Sequence, residues 1–401
     1  MDILAIDIGF RSVGLCKWDG QTLHAEKWPV ESPDAAWPRW IGQLRPARPY
    51  QVLCRCTHPR LAEAVGIETL SRLALRHGAR WVHVMGEEIA GDPALAAARQ
   101  AADEHRLGAA AVVEVGNGRA TVALLDAHRR AVALQRPALS AKGTPALEVV
   151  AGALGCVLAG SKQHAGADNL STLPLICFGG GGPPLAARLA ERVGLRTILV
   201  PDRAGMLATV GMLLANRILH VRSEVPAAPL NVPDLRRAFL RLMDEAYGAI
   251  SREGYDLDDA VCRRFAELAC PGEASTTEVA CDDLADATRV LEGFHASRAA
   301  DMGAHGTIEV RAIRVMAVIE TRRPRWPVSP APTSDLGAAR VHQQGEGTTK
   351  TVVYERDRLP AGAVVRGPAS IREAYSETVV PAGWSASRTD AAGLRLCDER
   401  S

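Results

Sequence analysis

The stretch from 174 to 200 constrains the fold of this chain more than any other. Leu175-Ile176-Cys177-Phe178 is a short apolar run, the pattern of a buried strand. Gly179-Gly180-Gly181-Gly182 follows, then Pro183 and Pro184, then Leu185, Leu189 and Val193 at helical spacing. Proline suits the first turn of a helix, because the N–H it lacks has no intrahelical partner there. The spacing therefore predicts strand, glycine turn and helix N-terminus in succession. Such a turn exposes backbone N–H groups and aims the positive end of a helix dipole at one place, which favours an anion. Glycine also permits close approach, since no Cβ holds a ligand away. Gly179, Gly180, Gly181 and Gly182 are thus the first candidate phosphate-binding residues. A tight strand-to-helix turn without a ligand is the alternative.

The segment from Ile176 to Ala215 carries Phe178-Gly179-Gly180-Gly181-Gly182-Pro183, Leu189-Ala190-Glu191, Leu199-Val200-Pro201 and Gly211-Met212-Leu213-Leu214-Ala215. It resembles the nucleotide-side segment of the hydantoinase A/oxoprolinase family. The resemblance implies an α/β fold with a duplicated actin-like, sugar-kinase-like core, ATP as cofactor, and activation of cyclic amides, or of ketones in the related carboxylases. Ala204-Gly205 is similar to the loop that the family packs near the adenine. Gly367-Pro368-Ala369, Thr378-Val379-Val380-Pro381 and Gly383-Trp384 look like its closing β-domain.

Two hairpins of one design fit a duplicated core. Ile3–Ile8 reads as a strand, Gly9-Phe10-Arg11-Ser12 as a turn and Val13–Trp18 as the returning strand, closed by Asp19-Gly20. Ala110–Val115, Gly116-Asn117-Gly118 and Ala120–Leu125 repeat the pattern. The first resembles the family's first phosphate loop, D-I-G-G-T-x-T-D. Asp7, Ile8 and Gly9 match, whereas Phe10 replaces the second glycine, Arg11 the threonine, and Gly14 the last aspartate. The second resembles D-M-G-G-T-S-T-D, with Glu114 in place of the leading aspartate and Asn117 and Arg119 as departures. By that resemblance Asp7 and Glu114 are the catalytic and Mg²⁺-binding residues, and Gly9, Arg11, Ser12, Gly116, Asn117 and Gly118 join the glycine run as nucleotide contacts. A plain hairpin is the alternative at each. Arg11 and Arg119 bring positive charge that can replace part of the lost phosphate neutralisation.

The rest of the chain bounds the possibilities. At 401 residues it has length for two or three domains. The reading is a nucleotide-binding core over 1–222, a distal α+β region over 223–321, a proline-rich linker or long loop over 322–348 and a β-domain over 349–401. Arg203–His220 reads as a helix, Val261–Leu268 and Ser275–Cys281 as strands, and the short strands of the tail as a small sandwich or barrel. Net charge is +1 with signs interspersed, so no nucleic-acid partner is expected. No apolar run reaches the length of a spanning helix, and the N-terminus lacks a basic n-region, so neither membrane partner nor signal peptide is expected. Nine scattered cysteines fit reduced thiols and a cytoplasmic location. Cys54-Arg55-Cys56-Thr57-His58 has a zinc-like look but no second ligand pair, so core packing is the reading.

Function expected from the resemblance is ATP-dependent hydrolysis of a hydantoin- or oxoproline-type cyclic amide, through phosphorylation of the amide oxygen. The alternative is a nucleotide-binding or structural subunit of a hydantoinase- or ketone-carboxylase-like complex. Family members assemble with a second, larger subunit, so an oligomer with such a partner is expected too. The chain between and beyond the phosphate loops is short for the family.

Overall fold

The computed structural model of the protein describes residues 2–8, 12–29, 38–39, 41–42, 45–46, 50–56, 72–85, 91–116, 118–139, 145–160, 172–229, 231–273, 275–281, 294, 308–321, 340–342 and 351–400. It divides into two compact units, Met1–Ala215 with Arg322–Ser401, and Asn216–Thr321.

The first unit opens with a five-stranded sheet of β1 (Asp2–Ile8), β2 (Ser12–Trp18), β3 (Leu23–Pro29), β4 (Tyr50–Cys56) and β5 (Ala79–Val84), in the order β3-β2-β1-β4-β5. β1 runs antiparallel to β2 and parallel to β4. Alternate side chains leave opposite faces of a strand. Leu4, Ile6 and Ile8 therefore join Val13, Leu15, Val52 and Cys54 in one core, while Ala5, Cys16 and Leu53 face another. Burial on both faces explains why these strands read as nearly continuous apolar runs. Cys54 and Cys56 pack in the first core, as expected, and His58 lies outside the described residues.

Helix α1 (Pro93–Glu104) begins at Asp92, whose carboxylate accepts the Leu95 N–H at 3.0 Å. There follow β6 (Ala110–Val115), β7 (Ala120–Leu125), β8 (Ala131–Gln135), α2 (Ala146–Gly160), β9 (Pro174–Phe178), α3 (Gly182–Val193), β10 (Thr197–Val200) and α4 (Leu207–Leu214). Their strands run β8-β7-β6-β9-β10, the order and directions of the first sheet repeated. The duplicated α/β core expected from the two hairpins is present. The inner face of the first sheet packs against α4 and the start of α1, through Val210, Leu213 and Ala96.

The helix read over 203–220 is shorter. A 3₁₀ turn at Ala204–Met206 precedes α4, and the backbone becomes extended at Ala215. From there β11 (Arg217–Pro229) pairs antiparallel with β14, so tertiary pairing overrides the apolar run that looked helical. The second unit comprises β11, α5 (Val232–Arg252), β12 (Ala260–Ala269), β13 (Thr277–Ala280) and β14 (Glu309–Ile319), ordered β11-β14-β12-β13. α5 buries Leu235, Phe239, Leu242 and Ala246 against that sheet.

The tail holds β15 (Arg340–His342), β16 (Thr351–Glu355), β17 (Val364–Arg366), β18 (Ala369–Glu373), β19 (Ser376–Val380), β20 (Trp384–Arg388) and β21 (Leu394–Asp398). β15, β16, β18 and β19 form a four-stranded sheet. The other three extend the repeat sheet, with β21 antiparallel beside β10 and β20 and β17 beyond it. These strands therefore do not close on themselves as the sandwich or barrel read from their spacing. Val365, Trp384, Ala386, Leu394 and Leu396 are buried in the core of β6–β10 instead.

Candidate active site

Strand pairing builds the first half of the site. Asp7 lies opposite Gly14 across β1–β2, Gly14 opposite Lys27 across β2–β3, and Asp7 beside Arg55 across β1–β4. Paired residues project to the same face. Lys27, Gly14, Asp7 and Arg55 thus form one cross-strand row at the end of the inner face, above Ala5, Cys16 and Leu53. Gly14 is required there: a Cβ at its position would lie 2.1 Å from Thr209 Oγ1 on α4.

The second half comes from the repeat. Glu114 stands one residue before the end of β6, as Asp7 does in β1. It pairs with Thr121 on β7, whose side chain hydrogen-bonds its carboxylate, and with Phe178 on β9. Asp92 adds a third acid, itself buried and held by Arg136 at 2.6 Å. Burial pushes the Glu114 carboxyl up to about 7, with Arg55 pulling it down and Asp7 and Asp92 adding to the rise. Burial also raises Asp7, against Arg55 and Lys27. Lys27 is lowered by burial and supported by the charges of Asp7 and Glu114. Asp7 and Glu114, from matching positions of two repeats, therefore converge on one electrostatic environment.

The glycine turn lies against β6. Gly179 adopts φ +86°, and a Cβ there would meet the Val115 carbonyl oxygen at 2.5 Å. Gly181 donates its N–H to the same carbonyl at 3.0 Å. These positions serve contact of the chain with itself. Gly180 is exposed, and its Cβ position is 3.4 Å from Lys27 Nζ. Gly182 is buried at the start of α3. A short chain of bonds then ties the tail to this turn. Arg356, buried, donates to Glu373 at 2.9 Å and to the carbonyls of Val200 and Ala392. Glu373 accepts the Gly205 N–H at 3.2 Å, and the Gly205 carbonyl accepts from Lys27 Nζ at 3.2 Å.

Of the other candidates, Ser12 opens β2 and is half-buried, Gly116 donates its N–H to the Arg119 carbonyl at 2.9 Å, and Gly118 is half-buried. Gly9, Phe10, Arg11 and Asn117 lie outside the described residues. Lys27, Arg55 and Asp92 were not singled out by the sequence reading. Arg55 carried a signal: period two sets it opposite Cys54 and Cys56, a lone charge in an otherwise apolar strand. Lys27 carried none, because its relation to Asp7 passes through two strand pairings.

Among the described residues no group of three or more His, Cys, Asp or Glu can hold a metal ion. Asp7 Oδ1 is nevertheless buried with no hydrogen-bond partner among them. Two carboxylates with a free acceptor fit Mg²⁺ whose remaining ligands are phosphate oxygens and water, the usual manner of that ion at nucleotide sites. Beside Gly205 a cavity of about 510 Å³ is lined by Leu23, Ala25, Asp202, Arg203 and Tyr375.

Residues 149–220 match the hydantoinase/oxoprolinase family model. The chain is 24% identical over 244 residues to caprolactamase subunit alpha of Pseudomonas jessenii, covering 55% of this chain and 34% of that subunit. It is 22% identical over 226 residues to 5-oxoprolinase of Saccharomyces cerevisiae, covering 51% of this chain and 17% of that enzyme. The matches thus span about a third of the first relative's length and under a fifth of the second's. Among solved structures, nucleotide-free acetone carboxylase aligns with 99% of this chain and 99% of its own, at a TM-score of 0.61 and 10% identity, a likeness of fold. No helix among the described residues is long and apolar enough to cross a membrane. With the glycine turn inside the matched segment and the duplicated actin-like core around it, the chain is similar to the hydantoinase/oxoprolinase family over 149–220.

Proposed function

We propose that this chain binds a magnesium nucleotide between the two sheets of its first unit and uses it to open a cyclic amide. The convergence of Asp7 and Glu114 carries this reading. Partly buried carboxylates that share one desolvated environment are costly unless a cation joins them, and the upward pKa of both is the sign of that cost. ATP with Mg²⁺ supplies the phosphoryl group and the charge that holds it, making a poor amide oxygen into a site open to water. Asp7 and Glu114 hold the ion, and Thr121 fixes Glu114. The open backbone at Gly180 receives phosphate, and the cavity beside Gly205 has a volume in the range of small-ligand sites, with room for the nucleoside.

The substrate class rests on the relatives, two of which are named for cyclic amides. The discriminating experiment measures ATP hydrolysis with 5-oxoproline, caprolactam, hydantoins and ketones, each with and without bicarbonate. Stimulation by a cyclic amide is expected. Stimulation only by a ketone with bicarbonate moves the reaction to carboxylation. Absence of any heat or thermal shift with millimolar Mg-ATP ends the reading altogether.

A second reading is favoured by one observation, the matched share of 34% of the caprolactamase subunit. In it the chain is a nucleotide-binding subunit that turns over only with a larger partner. Hydrolysis that appears on adding such a partner, and not before, selects it.

A further inference from the structure

We propose that Lys27 is the phosphate-contacting cation of this site, delivered to the glycine turn from the edge strand β3. This rests on the nucleotide reading above and goes beyond it, because no residue of β3 belongs to either phosphate loop. Three observations carry it. The cross-strand row places Lys27 on the face of Asp7, separated from it by Gly14. Thr209 occupies the space over Gly14, so Lys27 reaches onward to the Gly205 carbonyl rather than pairing at the level of its own row. Its Nζ then stands 3.4 Å from the Cβ position of Gly180, the exposed residue of the turn.

The ammonium is also undersupplied with partners. Lys carries three donors, and among the described residues Lys27 makes one hydrogen bond, to Gly205 at 3.2 Å. Two donors remain at the junction between the open turn, the two carboxylates and the 510 Å³ cavity that Gly205 lines. An anion with several acceptor oxygens on Gly180 meets those donors. Lys27 thereby supplies a charged donor to the phosphate where the first phosphate loop lacks its threonine hydroxyl.

The test uses the full chain and titration calorimetry with Mg-ATP, magnesium tripolyphosphate and adenosine. Lys27→Met is expected to weaken Mg-ATP and tripolyphosphate by about tenfold or more, the size of a lost charge-assisted contact. Adenosine affinity is expected to stay within about twofold, which a general disturbance of the fold would not allow. Lys27→Arg restores most of the phosphate affinity. If Lys27→Met loses its cooperative melt, Lys27→Gln takes its place, keeping the hydrogen-bonding stem without the charge. Unchanged Mg-ATP affinity in the neutral variant overturns the proposal, as does an equal loss for adenosine. Wild type that binds tripolyphosphate but not ATP overturns the nucleotide reading alone. Wild type that binds neither overturns both.

Discussion

Asp7 separates what the site costs from what it does. Burial disfavours its charged form, so ionised Asp7 subtracts from folding stability at neutral pH. Asp7→Asn keeps the shape and removes that charge. The variant is expected to melt no lower than wild type, while Mg-ATP turnover falls by roughly 100-fold or more. Thermal melts beside an ATPase assay decide it; a lower melting point would mean that the carboxylate is structural. His105 makes the pH argument at the same scale. Burial, helped by Arg395 and Arg356, lowers this ring from 6.5 to about 4. The unfolded chain takes up a proton near 6.5 that the folded one refuses until about 4. Stability is therefore full above 6.5 and falls as pH drops through that window. Since the ring is only half-buried, the loss is a fraction of the full linkage. His105→Gln flattens the dependence, seen as a smaller fall in melting temperature between pH 7 and pH 4.5.

At the scale of elements, the glycine turn shows how two neighbours with one side chain differ in role. Gly179→Ala places a Cβ against the Val115 carbonyl at a left-handed φ, and about 2–4 kcal/mol of stability should go. Gly180→Ala should leave denaturant midpoints unchanged and act only on nucleotide binding. Equal destabilisation by both would show that the turn is wholly structural. The strands here were legible because their apolar runs are bounded by glycine turns: Ile3–Ile8, Ala110–Val115 and Leu175–Phe178 all appear as strands. Glu114 stood out because the second hairpin repeats the first. Arg217–Pro229 was less legible, since an edge-to-edge pairing with a strand some ninety residues downstream decides its conformation. Lys27 was hidden for the same reason. Cross-strand neighbours are made by register, and register between distant segments leaves no local trace in a sequence.

Across the whole molecule, the tail is part of the core rather than an appendage. Trp384 on β20 is buried in the repeat sheet's core, and its indole N–H donates to Glu191 on α3 at 2.9 Å. Trp384→Ala should cost about 3–5 kcal/mol, read from chemical denaturation. Loss of nucleotide affinity is expected as well, because α3 begins at the glycine turn. A variant that loses neither would show the tail to be dispensable. The same continuity explains why short strands at tight spacing looked like a closed β-domain: the spacing reports strand lengths, whereas their apolar faces could be covered by any sheet within reach.

The position of β21 has a consequence for the order in which the protein is made. β21 lies between β10 and β20 in the sheet, yet 216–321 intervene in the chain. On the ribosome the partner edge of β10 is synthesised well before the strand that covers it, with its N–H and C=O groups unpaired and open to other chains. The second unit, whose strands all fall within one continuous segment, can assemble meanwhile. Pulse-labelled nascent chains should therefore gain protease resistance over 216–321 first. The glycine turn should become protected only after residue 398 has emerged, so the candidate nucleotide site matures after the second unit.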